Sequence, residues 1–158
     1  MKIGRITLSD RASAGIYEDL SGPEIEVVLR EALDAHADFF VRLLPDEADQ
    51  IRAALIELAD VARCELIVTT GGTGPAPRDV TPEATRAILD RELPGFGETM
   101  RTVSFPKVPT AILSRGLAGT RGESLIINLP GNPRAIRECL LPLVPAIREC
   151  LRHIRRES

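Results

Sequence analysis

The chain has no tryptophan, one tyrosine and four phenylalanines in 158 residues, so its core must be built from aliphatic side chains. Histidine is nearly missing: His36 falls in a helical pattern and His153 near the end of the sequence. Two isolated imidazoles provide neither a Ser-His-Asp arrangement nor a multi-histidine metal site. Cys64, Cys139 and Cys150 are odd in number, widely spaced and without a CxxC, which suggests neither a disulfide framework nor a zinc knuckle. Cys64 and Cys139 read as small buried hydrophobes. There is no basic surplus, the net charge being −3, so nucleic acid is not an expected partner. No apolar run reaches membrane-spanning length, and the opening MKIGRITLSDR lacks a signal-peptide core. A cytoplasmic protein without membrane contact is the expectation.

What is present is ordinary for a globular protein, with 44% hydrophobic and 27% charged residues, and the length predicts one domain over residues 1–158. Residues 3–8 read as a first strand, after which Ser9-Asp10-Arg11 opens a polar loop running to Ser21. Ser21 and Glu24 have capping-box spacing, and Ile25, Val28, Leu29, Ala32 and Leu33 follow at helical intervals. A second strand over 39–44 is stopped by Pro45. Asp46 then reads as the cap of a helix that buries Ile51, Ala54, Leu55, Leu58 and Ala62. A third strand and helix complete three strand–helix units. That pattern predicts an α/β fold of three layers, α/β/α, with a mostly parallel sheet and right-handed crossovers. Residues 93–109, rich in proline and glycine, have no assignable element. Beyond them, 117–122 and 124–129 read as strands of a hairpin about Gly122-Glu123. Asn132 caps a last helix with Pro133 at its first position, and Pro142 and Pro145 predict a break inside it.

Residues 66–85, LIVTTGGTGPAPRDVTPEAT, carry the densest signal. A short apolar strand empties through Thr70 into Gly71-Gly72-Thr73-Gly74, Pro75 and Pro77 stiffen the loop, and Thr81-Pro82-Glu83 reads as a helix start with Thr81 as cap. Strand, glycine loop, helix is where open α/β sheets bind ligands, and freed backbone N–H groups beside a helix start suit a phosphate. It is neither a Walker A loop nor GxGxxG. Arg78 is placed to grip a phosphate or carboxylate, and Asp79 to hold Mg²⁺ against phosphate oxygens. The plainer reading makes the loop a tight turn with Asp79 as its Asx residue. Asp46 lies just past another strand, so two carboxylates 33 positions apart face one edge of a parallel sheet. Asp46 alone reads as a plain helix cap. Ser9-Asp10-Arg11 and Asn128-Leu129-Pro130-Gly131-Asn132-Pro133 add two more polar loops to that edge. An inventory of carboxylates, backbone dipoles and bound metal suits phosphoryl or nucleotidyl transfer, where positioning and charge neutralisation do most of the work.

Taken together, Ser9 to Gly22, Pro45-Asp46-Glu47, Thr69 to Thr85, Pro94 to Glu98 and Asn128 to Pro133 make the chain resemble the molybdopterin adenylyltransferase family. This is the MogA type, related to the G domain of gephyrin. The resemblance runs over nearly the whole length. It implies a homotrimer, ATP and molybdopterin as substrates, Mg²⁺ as the metal, and transfer of AMP to the molybdopterin phosphate with release of pyrophosphate. Asp46 and Asp79 would be the catalytic and metal-holding carboxylates. Thr70, Gly71, Gly72, Thr73, Gly74 and Arg78 would bind substrate, with Ser9, Asp10, Arg11, Asn128, Pro130, Gly131 and Asn132. Hand-over of product to a molybdenum-insertion enzyme is implied as well. Two alternatives stand beside this reading: a non-catalytic paralogue that only holds molybdopterin, and a nucleotidyl transferase acting on another phosphate ester.

Overall fold

Alternation along the strands decides the layering. In β1 (Lys2–Leu8), Ile3 packs on one face of a sheet while Ile6 and Leu8 pack on the other. The computed structural model describes residues 1–156, and the chain continues through α1 (Asp10–Ser13), α2 (Ser21–Ala32), β2 (Asp38–Leu44), α3 (Ala48–Ile56), β3 (Leu66–Thr70), α4 (Thr81–Arg86) and β4 (Arg91–Glu92). Then follow α5 (Pro94–Ser104), β5 (Ala118–Arg121), β6 (Ser124–Leu129), α6 (Pro133–Leu140) and α7 (Val144–Arg156). The strand order is β2-β1-β3-β6-β5-β4, parallel from β2 to β6, with the β5–β6 and β4–β5 pairs antiparallel. β3 and β6 are buried at every position, as strands covered on both faces must be.

One apolar layer joins Ile25, Val28 and Leu29 of α2 with Ile136, Leu140, Ile147 and Leu151 of the last helices, over Ile3, Leu66, Val68, Leu125 and Ile127. The other joins Ile51, Leu55 and Leu58 with Ala84 and Ile88, over Ile6, Ile67 and Ile126. Leu8 pairs with Leu44, Thr7 with Thr70, and Thr70 with Leu129, so four parallel strands end level. The loops that leave them share one edge. From β1 the chain moves outward to β2, and from β3 it moves to the opposite side, which opens a crevice between β1 and β3 at the point where the winding reverses.

Several local expectations are corrected. α1 interrupts the loop predicted after Ser9, because the Ser9 hydroxyl accepts the Ala12 N–H and caps a single turn. Ser21 does not cap α2. The Asp19 carboxylate takes the Gly22 N–H at 2.9 Å, and the Ser21 hydroxyl donates instead to the Gly131 carbonyl at 2.7 Å. Glu47, not Asp46, precedes α3, and neither side chain caps it. Thr81 is the first residue of α4 rather than its cap. The unassigned 93–109 segment contains α5, which buries Phe96 and Met100; its two glycines and weak periodicity hid it. Pro142 does break the last helical pattern, which passes through a short 3₁₀ turn at Leu141–Leu143.

Candidate active site

A cleft of about 460 Å³ lies at the crevice, lined by Thr7, Leu8 and Ser9 at the end of β1, Thr70, Gly71 and Gly72 at the end of β3, Asp46 and Gly131. Gly71 and Gly72 have φ values of +99° and +66°, which L side chains adopt only with strain. That backbone turns the carbonyls of the loop toward protein donors. The Gly71 carbonyl accepts the Thr81 hydroxyl at 2.9 Å, and the Gly72 carbonyl accepts the Thr81 N–H at 3.2 Å. The Thr73 carbonyl accepts the Arg115 N–H at 2.8 Å, and the Gly74 carbonyl accepts Arg115 Nε at 2.9 Å. By contrast, the N–H groups of Gly72, Thr73 and Gly74 donate to no acceptor among the described residues. Three adjacent donors without an acceptor, on a loop whose carbonyls are all taken, are the kind of groups that can serve an anion.

Two carboxylates bracket that loop. A Cβ at Gly72 would stand 3.0 Å from Asp46 Oδ1, and one at Gly74 would stand 2.9 Å from Asp79 Oδ2. Asp46 and Asp10 exchange backbone bonds: Asp46 N–H donates to Asp10 Oδ1 at 2.9 Å, and Asp10 N–H donates to Asp46 Oδ2 at 3.1 Å. Asp46 Oδ1 is left buried with no hydrogen-bond partner among the described residues. Burial raises the Asp46 carboxyl above its ordinary range, and the charges of Asp10 and Asp79 add to the rise. A buried, unpartnered carboxylate oxygen beside a second carboxylate and open amides fits a divalent cation shared with phosphates. Mg²⁺ is commonly held by one or two carboxylates and substrate oxygens rather than by a protein cage. Among the described residues no three His, Cys, Asp or Glu side chains form such a cage. Asp79 also keeps its turn role, with Oδ2 accepting the Ala76 N–H at 3.1 Å.

Of the other predicted site residues, some meet at the cleft and others do not. The Ser9 hydroxyl lies 3.0 Å from that of Tyr17, and both line the cleft. Thr70 borders it while donating to the Pro130 carbonyl at 2.7 Å. Arg11 is exposed on α1. Arg78 grips carboxylates in this structure: Asp10 through Nε and Nη2 at 3.0 and 2.9 Å, and Glu47 at 2.9 Å. Those bonds hold the Asp10 carboxyl below its usual range. Thr73, Gly74, Pro130 and Asn132 line a second, smaller hollow on the far side of the glycine loop, with Met100, Ser104 and Cys139. Asn132 also caps α6, accepting the Arg134 N–H at 3.0 Å.

Asn128 is a correction. It is fully buried, its amide donates to the hydroxyls of Thr69 and Thr85 at 3.0 Å each, and its Oδ1 accepts the Leu117 N–H. The strand alternation that puts Ile126 under α4 puts Asn128 there too, where its side chain is spent on bracing the strands and α4. Other cleft-forming residues were not singled out from sequence. Asp19 ties the 17–21 wall to β1, accepting the Thr7 hydroxyl at 2.7 Å and pairing with Arg5 at 3.1 Å. Its position three residues ahead of Gly22 was the available signal. Thr81 and Arg115 hold the glycine loop, and nothing local to Arg115 announces it.

Comparison with known proteins follows the same lines. A family model described as "Probable molybdopterin binding domain" matches residues 4–149. A molybdopterin adenylyltransferase of Helicobacter pylori (strain ATCC 700392 / 26695) is 56% identical over 149 residues, covering 94% of this chain and 85% of that protein. Gephyrin of Dictyostelium discoideum is 40% identical over 153 residues, 92% of this chain but 21% of gephyrin. Among solved structures, the molybdopterin biosynthesis enzyme MoaB of Thermus thermophilus superposes with a TM-score of 0.88 at 44% identity, covering 97% of this chain and 95% of that one.

Proposed function

The chain belongs to the molybdopterin-binding domain family, and we propose that it is a molybdopterin adenylyltransferase of molybdenum cofactor biosynthesis. A phosphate oxygen of molybdopterin attacks the α-phosphorus of ATP, the bond to the bridging oxygen of pyrophosphate breaks, and adenylylated molybdopterin and pyrophosphate result. The nucleophile is already an anion, so no base has to remove a proton, in keeping with a cleft that offers no histidine. One observation carries the reading: among the described residues the glycine loop leaves three N–H groups without an acceptor between Asp46 and Asp79, and Asp46 Oδ1 is buried without a partner. Such a site binds phosphates and needs a cation.

Within that reading the roles divide as follows. The N–H groups of Gly72, Thr73 and Gly74 hold phosphate oxygens. Asp46 and Asp79 would hold Mg²⁺, which would supply neutralisation of charge on the ATP phosphates. The Asp10–Asp46 bracket and the Arg78 fork keep Asp46 in place. The cleft and the hollow beyond Thr73 flank one loop, an arrangement suited to two substrates whose phosphates meet across it. The whole chain acts as one domain, as a homotrimer in the cytoplasm, and hands its product to a molybdenum-insertion enzyme. Among the described residues no helix is long and apolar enough to cross a membrane.

Pyrophosphate release from ATP and Mg²⁺, measured with and without molybdopterin, tests this reading. Release only when the pterin is present is expected. Molybdopterin binding without any release would make the chain a holding protein, and release with a different phosphate ester alone would reassign the acceptor.

A further inference from the structure

Arg115 lies outside the sequence-predicted site, in the link between the 3₁₀ turn Pro109–Leu113 and β5, yet it makes more bonds to the glycine loop than any residue within it. Its N–H holds the Thr73 carbonyl at 2.8 Å and its Nε the Gly74 carbonyl at 2.9 Å. Nη2 holds the Asp79 carbonyl at 2.8 Å, and Nη1 bridges both oxygens of Glu83 in the first turn of α4 at 2.7 and 2.8 Å. One guanidinium therefore ties both ends of the 74–79 segment to the helix that follows it. Pro75 and Pro77 have no N–H to contribute, and the one backbone bond closed inside the segment runs from Asp79 N–H to the Ala76 carbonyl.

We infer that Arg115 is a positioning residue for the adenylyl transfer: by occupying the carbonyls of Gly74 and Asp79 it fixes the Asp79 carboxylate opposite Asp46 and leaves the loop's N–H groups open to phosphate. The inference rests on the adenylyltransferase reading of the site. The guanidinium touches no reacting atom; it works through Asp79. A planar fork with several fixed donors is needed, because a lysine ammonium on its flexible stem cannot reach Gly74, Asp79 and Glu83 together. The side chain is 40% exposed, so its ion pair contributes little to folding.

The test compares Arg115→Gln, Arg115→Lys and Glu83→Gln with Arg121→Gln. Arg121 makes a similar surface fork, to Asp60 and the Ile88 carbonyl, away from the cleft. For each variant, kcat and KM for ATP are measured in the molybdopterin-dependent pyrophosphate assay, together with the melting temperature. In Arg115→Gln, kcat falls ~10- to 100-fold, the scale of losing a residue that orients a catalytic ligand, and changes more than KM. Melting stays within about 3 °C of the parent. Arg115→Lys does not restore the rate, Glu83→Gln shows a smaller loss, and Arg121→Gln turns over like the parent. Should Arg115→Gln fold poorly, the loss in Glu83→Gln carries the test. Parental kcat in a folded Arg115→Gln protein, or an equal loss in Arg121→Gln, overturns the inference and leaves the function standing. A parent protein that releases no pyrophosphate overturns both.

Discussion

Ionising Asp46 costs more in the folded chain than in water, because burial dominates the hydrogen bond it accepts from Asp10. Its folded pKa is raised, so its contribution to stability is fully present below the ordinary carboxylate value and is lost as pH rises through the folded value. At neutral pH the residue is a folding liability retained at the cleft. Asp46→Asn should therefore melt no lower than the parent at pH 7, with any gain fading as pH falls toward the ordinary aspartate range. Asn still accepts the Asp10 N–H, so the bracket survives. Turnover should drop by at least ~10²-fold in Asp46→Asn and in Asp79→Asn, the loss typical of one preorganised electrostatic contact. On the proposed shared cation site, the double variant should fall little further. Melting curves across pH and rates for the three variants check this; small, additive losses would return both residues to the role of turn and bracket. Asp46 was found from sequence as a carboxylate at a strand end, but as a helix cap it was misread. Its true partner, Asp10, is 36 residues away and meets it only because β1 and β2 end level.

At the scale of the element, the glycine loop is two kinds of glycine. Gly72 has a left-handed φ, and a Cβ there would strike the Thr81 hydroxyl at 2.3 Å. Gly74 has no such φ, and its Cβ would press only on the Asp79 carboxylate at 2.9 Å. Gly72→Ala should lose roughly 1–2 kcal/mol for the left-handed backbone alone, with activity lost as the Thr81 tether is displaced. Gly74→Ala should fold nearly as the parent does and yet lose turnover, through Asp79. Chemical denaturation beside the pyrophosphate assay separates the two, and a Gly74→Ala protein with full activity would show that Asp79 has room to move. Strand, loop and helix were all legible here from apolar run, glycines and Thr-Pro-Glu. The ties to Arg115 were not, because a surface arginine carries no periodicity. α5 stayed hidden for a related reason: Gly95 and Gly97 lower its helical propensity, and packing of Phe96 and Met100 supplies what propensity does not.

The whole molecule presents an apolar surface just after α5 that a lone copy leaves exposed. Phe105, Val108, Ile112 and Leu113, after α5, are each 48–64% exposed. A chain with so few aromatics places one of its four phenylalanines in that patch. If this is where copies meet, sedimentation at micromolar concentration should show a species of three times the 17.2 kDa chain mass. Phe105→Asp should shift it toward the single chain. A parent protein that sediments only as one copy would remove the trimer.

The amino-acid order alone determined the layered α/β architecture, the parallel strands, the hairpin at Gly122 and the helix capped by Asn132. Each of these rests on local periodicity or on turn and cap chemistry acting over a few residues. It also brought Asp46 and Asp79 to one edge, because a parallel sheet places every strand's carboxyl end on the same side. Tertiary structure decided which polar groups remain free. Asn128 is consumed by Thr69, Thr85 and Leu117; Arg78 by Asp10 and Glu47; the loop carbonyls by Thr81 and Arg115. A hydrogen-bonding group is available to a ligand only if no neighbour has taken it, and those neighbours come from distant parts of the chain. What they leave open, the amides of Gly72 to Gly74 and one oxygen of Asp46, is the proposed site.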